Sequence, residues 1–330
     1  MFDIVAFGSA SRDLFLKSKD FKTLKNKNFT TGECVCFNLG SKIYLDDLFF
    51  ATGGGGTNTA VTFAMQGFKT AYVGMVGKDT GGRAIKEELN ELGVKGFVVE
   101  DKILKTAYSI ILSVSQKERT ILVYQGACHK LQSKNIPFAQ LKSKWFYISG
   151  LSGESAKTLM PVINFAKKNK IKVAMNPGAA QFALGLNGLR KIFDAVDVLL
   201  LNQEEGAQIT GIDFRKEKEI FKKLDDYVKG IVIMTKGRGG VVVSDGNYLY
   251  SAGTFKENKY IDRTGAGDAF GSGFVSGLMR TGKIEEAIRL GTANGTAVVE
   301  ELGAKNGLLT KSRYLKESRW KNLKITKIKL

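Results

Sequence analysis

The rhythm of its apolar runs limits this chain more than any other feature. Short β-branched segments alternate with helix-length stretches along most of the sequence. Residues 4–7 and 71–75 read as strands, and 60–66 and 82–92 as helices. From a strand at 145–148 the alternation resumes, with a helix at 155–168, strands at 172–175 and 196–201, a helix at 214–227 and a strand at 231–235. The runs at 196–201 and 231–234 are almost continuously apolar, as parallel strands covered on both faces must be. Such alternation implies a parallel sheet between two helical layers, an α/β/α sandwich.

Two stretches break the rhythm. Residues 13–50 are polar and lysine-rich, and 96–125 hold three short strands, VVE, YSIILSV and TILVY, with polar turns such as 116–119 between them. They are expected to form a small antiparallel β appendage on a single α/β domain of residues 1–330. With 43% hydrophobic and 25% charged side chains and 3 Pro in 330 residues, disorder and fibrous repeats are excluded. Three cysteines, Cys34, Cys36 and Cys128, cannot all pair, which suits a reducing compartment. His129 is the single histidine, so a multi-histidine metal centre is impossible and a Ser-His-Asp hydrolase would have to use that residue.

The formal net charge is +18, and part of the excess is concentrated. Residues 311–330 carry eight Lys or Arg against Glu317 alone, and 17–27 carry five Lys against Asp20. Basic clusters attract phosphates of any origin. The tail offers only Tyr314 and Trp320 for stacking, so nucleic acid is not the expected partner. No apolar run approaches the roughly 20 residues of a membrane span, and the N-terminal strand is broken by Gly8, Arg12 and Asp13. A cytoplasmic protein without membrane contact is the expectation.

Two glycine patterns imitate phosphate loops. Gly277 and Gly282-Lys283 have the spacing of a Walker loop, but Ile284 stands where the Mg²⁺-binding hydroxyl is needed, and a break between helices explains them better. Gly265-Ala266-Gly267 begins like a dinucleotide fingerprint, but Phe270 holds the third glycine position. The segment DRTGAGDAF, residues 262–270, carries chemistry of another kind. Small residues at 265–267 permit a sharp turn and close approach, and a helix at 269–279 follows at once. The N–H groups of Gly265, Ala266 and Gly267 are then expected to face an anion, reinforced by the helix dipole. Asp268, in the first turn, stands beside that anion hole, where a carboxylate makes sense as the acceptor of a proton from an attacking hydroxyl. A simple helix cap is the plainer alternative.

These residues resemble the PfkB/ribokinase family of carbohydrate and nucleoside kinases. Its C-terminal signature DTxGAGD is matched by DRTGAGD, and its N-terminal glycine pair with a following Asn by Gly53, Gly54 and Asn58 in GGGGTNTA. Further matches keep the family's order: Gly8-Ser9 and Asp13, VGMVGKDTGG at 73–82, Asn176-Pro177, Asn202 and Glu205 as N-x-x-E, TKGRGG at 235–240 and GAKNGL at 303–308. The resemblance spans essentially the whole chain. It implies a ribokinase-like three-layer α/β/α sandwich with a small β-sheet lid formed by insertions near 13–50 and 96–125.

The resemblance also implies roles. Asp268 looks like the catalytic base, and Gly265, Ala266 and Gly267 like the anion hole for the γ-phosphoryl of ATP. Asp13, Gly53, Gly54 and Asn58 resemble the sugar-binding set. Asn202 and Glu205 resemble the pair that positions Mg²⁺ through water, although a helix capping box explains the same spacing. Thr235, Gly237, Gly240 and Thr292 resemble nucleotide contacts. Carbonyls around Asp262, Thr264, Val298, Glu301 and Gly303 match a K⁺ site found in some members. The implied reaction is ATP-dependent phosphorylation of a hydroxymethyl group on a sugar, with a nucleoside or a sugar phosphate as alternative acceptors and a catalytically silent binding protein as the non-enzyme reading. Ribokinases often place a Glu after the strand at 145–148, whereas here the first acid is Glu154. A homodimer paired through the lids is the expected assembly.

Overall fold

The computed structural model describes residues 1–29, 32–114 and 119–330. The chain begins with β1 (Phe2–Phe7) and then leaves the body: β2 (Ser11–Lys17), β3 (Lys22–Lys25), β4 (Glu33–Cys36) and β5 (Asp47–Gly53) precede α1 (Gly55–Met65). β6 (Thr70–Gly77), α2 (Thr80–Glu91) and β7 (Lys95–Asp101) return to it before a second excursion, β8 (Ala107–Ser113) and β9 (Arg119–Tyr124). The alternating part follows as β10 (Ser143–Ile148), α3 (Leu159–Lys168), β11 (Lys172–Met175), α4 (Ala179–Phe182), α5 (Gly185–Phe193), β12 (Val198–Asn202), α6 (Gln203–Thr210), α7 (Glu217–Asp225) and β13 (Ile231–Thr235). A hairpin of β14 (Val241–Ser244) and β15 (Tyr248–Ala252) leads to α8 (Ala266–Thr281), α9 (Ile284–Val299), α10 (Lys311–Lys316) and β16 (Ile325–Lys329).

Ten strands form one sheet in the order β16-β15-β14-β13-β12-β11-β10-β1-β6-β7. The pairs from β7 to β13 are parallel, and β14, β15 and β16 close one edge antiparallel. Side chains along each strand alternate between two helical layers. In β1, Val5 and Phe7 join the core under α3, α5, α6 and α7, while Ile4 and Ala6 face α1 and α8. α8 and α9 lie unusually close because glycines line their contact. A Cβ on Gly277 would stand 2.7 Å from the Ala287 Cα, and one on Gly273 3.1 Å from the Gly291 Cα. Gly282 ends α8 in the left-handed conformation, φ 68°. The imitation Walker loop is therefore a helix–helix contact followed by a C-terminal glycine stop.

The lid is a second sheet of four strands, β5-β2-β8-β9, with β3 and β4 pairing separately. Two expectations need correction. The VVE strand does not belong to the appendage, because β7 pairs parallel with β6 at the edge of the main sheet. The lid is also not purely antiparallel, because β2 and β8 run parallel. An edge strand is only half covered, so β7 lacks the continuous apolar run of a central strand and reads like a lid strand. Of the expected turn at 116–119, residues 116–118 lie outside the described residues, and Arg119 opens β9. No helix among the described residues is long and apolar enough to cross a membrane.

Candidate active site

Gly265 turns the chain into α8 with φ 77°, and a Cβ there would meet the Ala304 Cβ at 2.4 Å. The helix starts at Ala266, three residues earlier than the sequence suggests. The Ala266 N–H donates to the Arg263 carbonyl at 3.2 Å, so the expected trio of free donors is reduced by that one. Asp268 occupies the first turn. Its Oδ2 accepts a hydrogen bond from Asn58 Nδ2 at 2.9 Å, although 210 residues separate the two. Burial raises the Asp268 pKa above the ordinary carboxylate value, and Asp13 adds to the rise, against the opposing Asn58 bond and the Lys305 charge.

The residues expected to bind the acceptor come from β2, β5 and α1. Along β2, Ser11, Asp13 and Phe15 face inward while their neighbours are half-exposed. Asp13 is 4% exposed, and its Oδ1 accepts from Ser11 Oγ at 2.9 Å. Burial raises its pKa too, against hydrogen bonds from Ser11 and Ser109 and the Lys305 charge. Gly53 lies flat on this carboxylate, since a Cβ there would come within 2.1 Å of Asp13 Oδ2. Gly54, with φ 94°, passes so close to the Ser9 carbonyl that a Cβ would stand 2.5 Å from its oxygen. α1 begins at Gly55, and Asn58 Oδ1 is buried without a partner among the described residues. Asp13, Gly53, Gly54, Asn58 and Asp268 are thus brought to one place.

A cavity of about 1500 Å³ opens between lid and body beside α8's first turn. Thr235, Gly237, Gly240, Ala266, Gly267 and Thr292 line it. Gly240, φ 88°, has no room for a side chain, because a Cβ would reach within 2.0 Å of the Ala252 carbonyl oxygen. Thr292 Oγ1 is buried without a partner among the described residues. Its neighbour Asn294 is structural: Nδ2 donates to the Ala269 carbonyl at 2.8 Å and Oδ1 accepts from the Leu309 N–H at 2.9 Å. Asn202 pairs in register with Thr235. Asn202 and Glu205 form a reciprocal capping box, each side chain accepting from the other's N–H at 2.8 Å. Burial raises the Glu205 pKa, against the Asn202 N–H bond.

The family model described as pfkB family carbohydrate kinase matches residues 1–311. The chain belongs to this family. Among its relatives, the ribokinase of Lactococcus lactis is 28% identical over 273 residues, covering 82% of this chain and 87% of that protein. A cytidine kinase of Thermococcus kodakarensis is 27% identical over 253 residues, covering 76% and 88%. The crystal structure of Thermotoga maritima ribokinase superposes with a TM-score of 0.78 at 25% identity, over 98% of this chain and 100% of that one. The ribokinase-like α/β/α fold with a smaller lid sheet is as expected, and the protein is an ATP-dependent kinase of the sugar and nucleoside class.

In this pfkB kinase the segments expected to hold K⁺ adjoin each other. The Ile261 N–H donates to the Val299 carbonyl at 2.9 Å, and the Val298 carbonyl accepts from the Glu301 N–H at 3.1 Å. The side chains are already matched with cations of the chain: Asp262 with Arg119 of the lid, and Glu301 with Lys259 at 3.2 Å. Thr264 N–H and Oγ1 both donate to Asp262 Oδ1, at 3.1 and 2.9 Å, while Oδ2 is buried and unpartnered among the described residues. Glu154 is no substitute for the missing sugar-contacting acid, because it pairs with Lys130 at 2.6 Å on the surface. The single histidine, His129, has a buried Nδ1 with no partner among the described residues. Sequence reasoning passed over Ser11, Ser109, Arg119 and Lys305. A lysine inside the small-residue motif GAKNGL was the one available signal.

Proposed function

We propose that this enzyme moves the γ-phosphoryl group of ATP to the hydroxymethyl group of a ribose-like sugar, with Asp268 as general base. The observation that carries the reading is the position of the Asp268 carboxylate, in the first turn of α8 and hydrogen-bonded to Asn58 of the acceptor loop. The Asn58 amide holds Oδ2, which leaves Oδ1, beside the bare Cα of Gly55, to take the acceptor's proton. Deprotonation need only be partial, because phosphoryl transfer has a loose transition state and positioning supplies much of the rate. The N–H groups of Gly265 and Gly267, aided by the helix dipole, receive the charge on the migrating group. Asp13 binds acceptor hydroxyls, and the wall around Thr235, Gly240 and Thr292 takes the nucleotide.

Mg²⁺ fits this arrangement, since Glu205 has one oxygen committed to its cap and a buried charge that a divalent ion would relieve. When bound, Mg²⁺ would supply positive charge against the negative charge that develops on the phosphates, with Asn202 and Glu205 ordering its water. K⁺ would rest on main-chain carbonyls near Asp262, Thr264, Val298, Glu301 and Gly303, with the unpartnered Asp262 Oδ2 adding negative potential. A nucleoside acceptor is the second reading, favoured by the apolar lid wall of the cavity. The Phe15 and Phe49 rings there lie 6.0 Å apart, offering a base a surface that a bare sugar does not need. Lys17 and Lys19 on the same wall suit a phosphorylated sugar. A homodimer through the lids is supported by exposed Leu48, Phe50, Leu122 and Val123 on its two outer strands. Three free thiols suit a reducing, cytoplasmic setting.

The test is ADP release with D-ribose, cytidine, adenosine and fructose 6-phosphate as acceptors. One of them is expected to support turnover, and Asp268→Asn to lower kcat by about 10²–10⁴ with little change in the KM for ATP. Equal damage to kcat and ATP affinity would point to misfolding, and full activity would remove Asp268 as the base.

A further inference from the structure

Lys305 is the least expected ion in the molecule. Its side chain is only 7% exposed, yet it belongs to a loop of small residues after α9. Its Nζ donates to Thr52 Oγ1 at 2.7 Å and to Glu88 Oε2 at 2.6 Å, and Thr52 Oγ1 itself donates to the same Glu88 oxygen. Three segments distant in sequence close one triangle: the end of lid strand β5, the outer turn of α2 and the loop that seats Gly265. The same loop touches the lid's inner face, where a Cβ on Gly303 would lie 3.5 Å from Ala51 and 3.7 Å from Phe49.

Burying an ammonium group is costly, and an apolar contact of the same size would hold two segments together as firmly. Directional bonds add register. Thr52 directly precedes Gly53, the residue that lies on the Asp13 carboxylate with no space for a Cβ. A slip of one residue along β5 would bring Thr52 over that carboxylate and turn the strand's faces around. Fixing the Thr52 hydroxyl between Lys305 and Glu88 forbids the slip. The Thr57 hydroxyl, donating to the Gly53 carbonyl at 2.7 Å, holds the following turn.

We propose that Lys305, through Glu88 and Thr52, is a positioning residue for the acceptor loop, setting where Gly53 stands over Asp13 without touching the acceptor. The proposal rests on the kinase reading for its kinetic consequence but not for its structural one. The Lys305 charge also favours the ionised forms of Asp13 and Asp268, which burial opposes.

The experiment compares the full-length protein with Lys305→Met, Lys305→Arg and the double variant Lys305→Met/Glu88→Met. Removing one partner strands a charge and lowers the melting temperature, whereas the double variant replaces the pair by apolar contact and recovers it. In the double variant, amide hydrogen exchange in residues 51–58 is expected to accelerate about tenfold while the core strands keep their protection. With whichever of D-ribose, cytidine, adenosine or fructose 6-phosphate is turned over, the acceptor KM is expected to rise about tenfold and the ATP KM to stay within about twofold, with Lys305→Arg near wild type. Unchanged exchange at 51–58 in a stable double variant overturns the proposal, as does an equal rise in both KM values. Failure of all four acceptors with the wild type would sink the proposed acceptor class alone, because the exchange measurement still decides whether Lys305 positions the loop.

Discussion

Single side chains in this site are held by contacts with defined chemical consequences. As the proposed general base, Asp268 must be ionised to accept a proton. Burial and the nearby Asp13 raise its pKa, so activity should fall with decreasing pH through a value above the ordinary carboxylate pKa of about 3.9. Asn58→Ala deletes a bond that favours the ionised form, so the acid limb of the kcat profile is expected to move to higher pH. A limb that stays in place or moves down would show that Asn58 does not tune the base. Gly53→Ala places a methyl against Asp13 and should raise the acceptor KM by roughly tenfold with little effect on ATP, in steady-state assays of both substrates. Such close approaches are legible in sequence, because a site that excludes every Cβ leaves a glycine behind. The Asn202–Glu205 box is legible for the same local reason, its partners being three residues apart. The Lys305–Glu88 pair spans 217 residues and the Arg119–Asp262 pair 143, and no local spacing rule reaches either.

At the scale of elements, α8 and α9 form the platform that carries Asp268, and their small residues decide how closely they approach. Gly277→Val would thrust methyl groups into the Ala287 backbone, an overpacking expected to cost about 1–3 kcal/mol. Thermal denaturation should show a lower melting temperature, accompanied by reduced kcat because the helix bearing the proposed base is displaced. Loss of stability with untouched kcat would mean that the platform tolerates a shift at Gly277. The parallel strands of the body could be recognised in advance because both faces are covered, which forces an uninterrupted apolar composition. β7 and the lid strands have one covered face or less, and composition alone does not say which sheet such a strand joins. VVE therefore reads like a lid strand although it pairs in the main sheet, and the parallel β2–β8 pairing is a long-range choice that no local pattern carries.

The whole molecule is a body and a lid joined at both margins of the lid sheet. At the β5 margin the Lys305–Glu88–Thr52 triangle has Lys305 and Thr52 buried and Glu88 half-buried. At the β9 margin Arg119 reaches from the lid to Asp262, six residues before Asp268 in the loop leading into α8. The two ties are unequal in the bonds that make them, because three hydrogen bonds among Lys305, Thr52 and Glu88 hold the β5 margin whereas the β9 margin is held by the pair of Arg119, at the first residue of its strand, with Asp262. The β9 margin is therefore the one expected to part when substrates enter. A lid that closes over the phosphates excludes water, which would otherwise take the phosphoryl group in place of the acceptor. Arg119→Gln keeps a hydrogen-bond donor beside Asp262 but removes the charge attraction that draws the margin shut. The expected outcome is a higher rate of ADP release without acceptor relative to the rate with saturating acceptor. Lys at the same position should lie between the variant and the wild type, because it restores charge but not the planar fork of the guanidinium. If the ratio of the two rates is the same in all three proteins, the Arg119 tie has no part in keeping water from the reaction, and the buried margin at β5 is sufficient to close the lid.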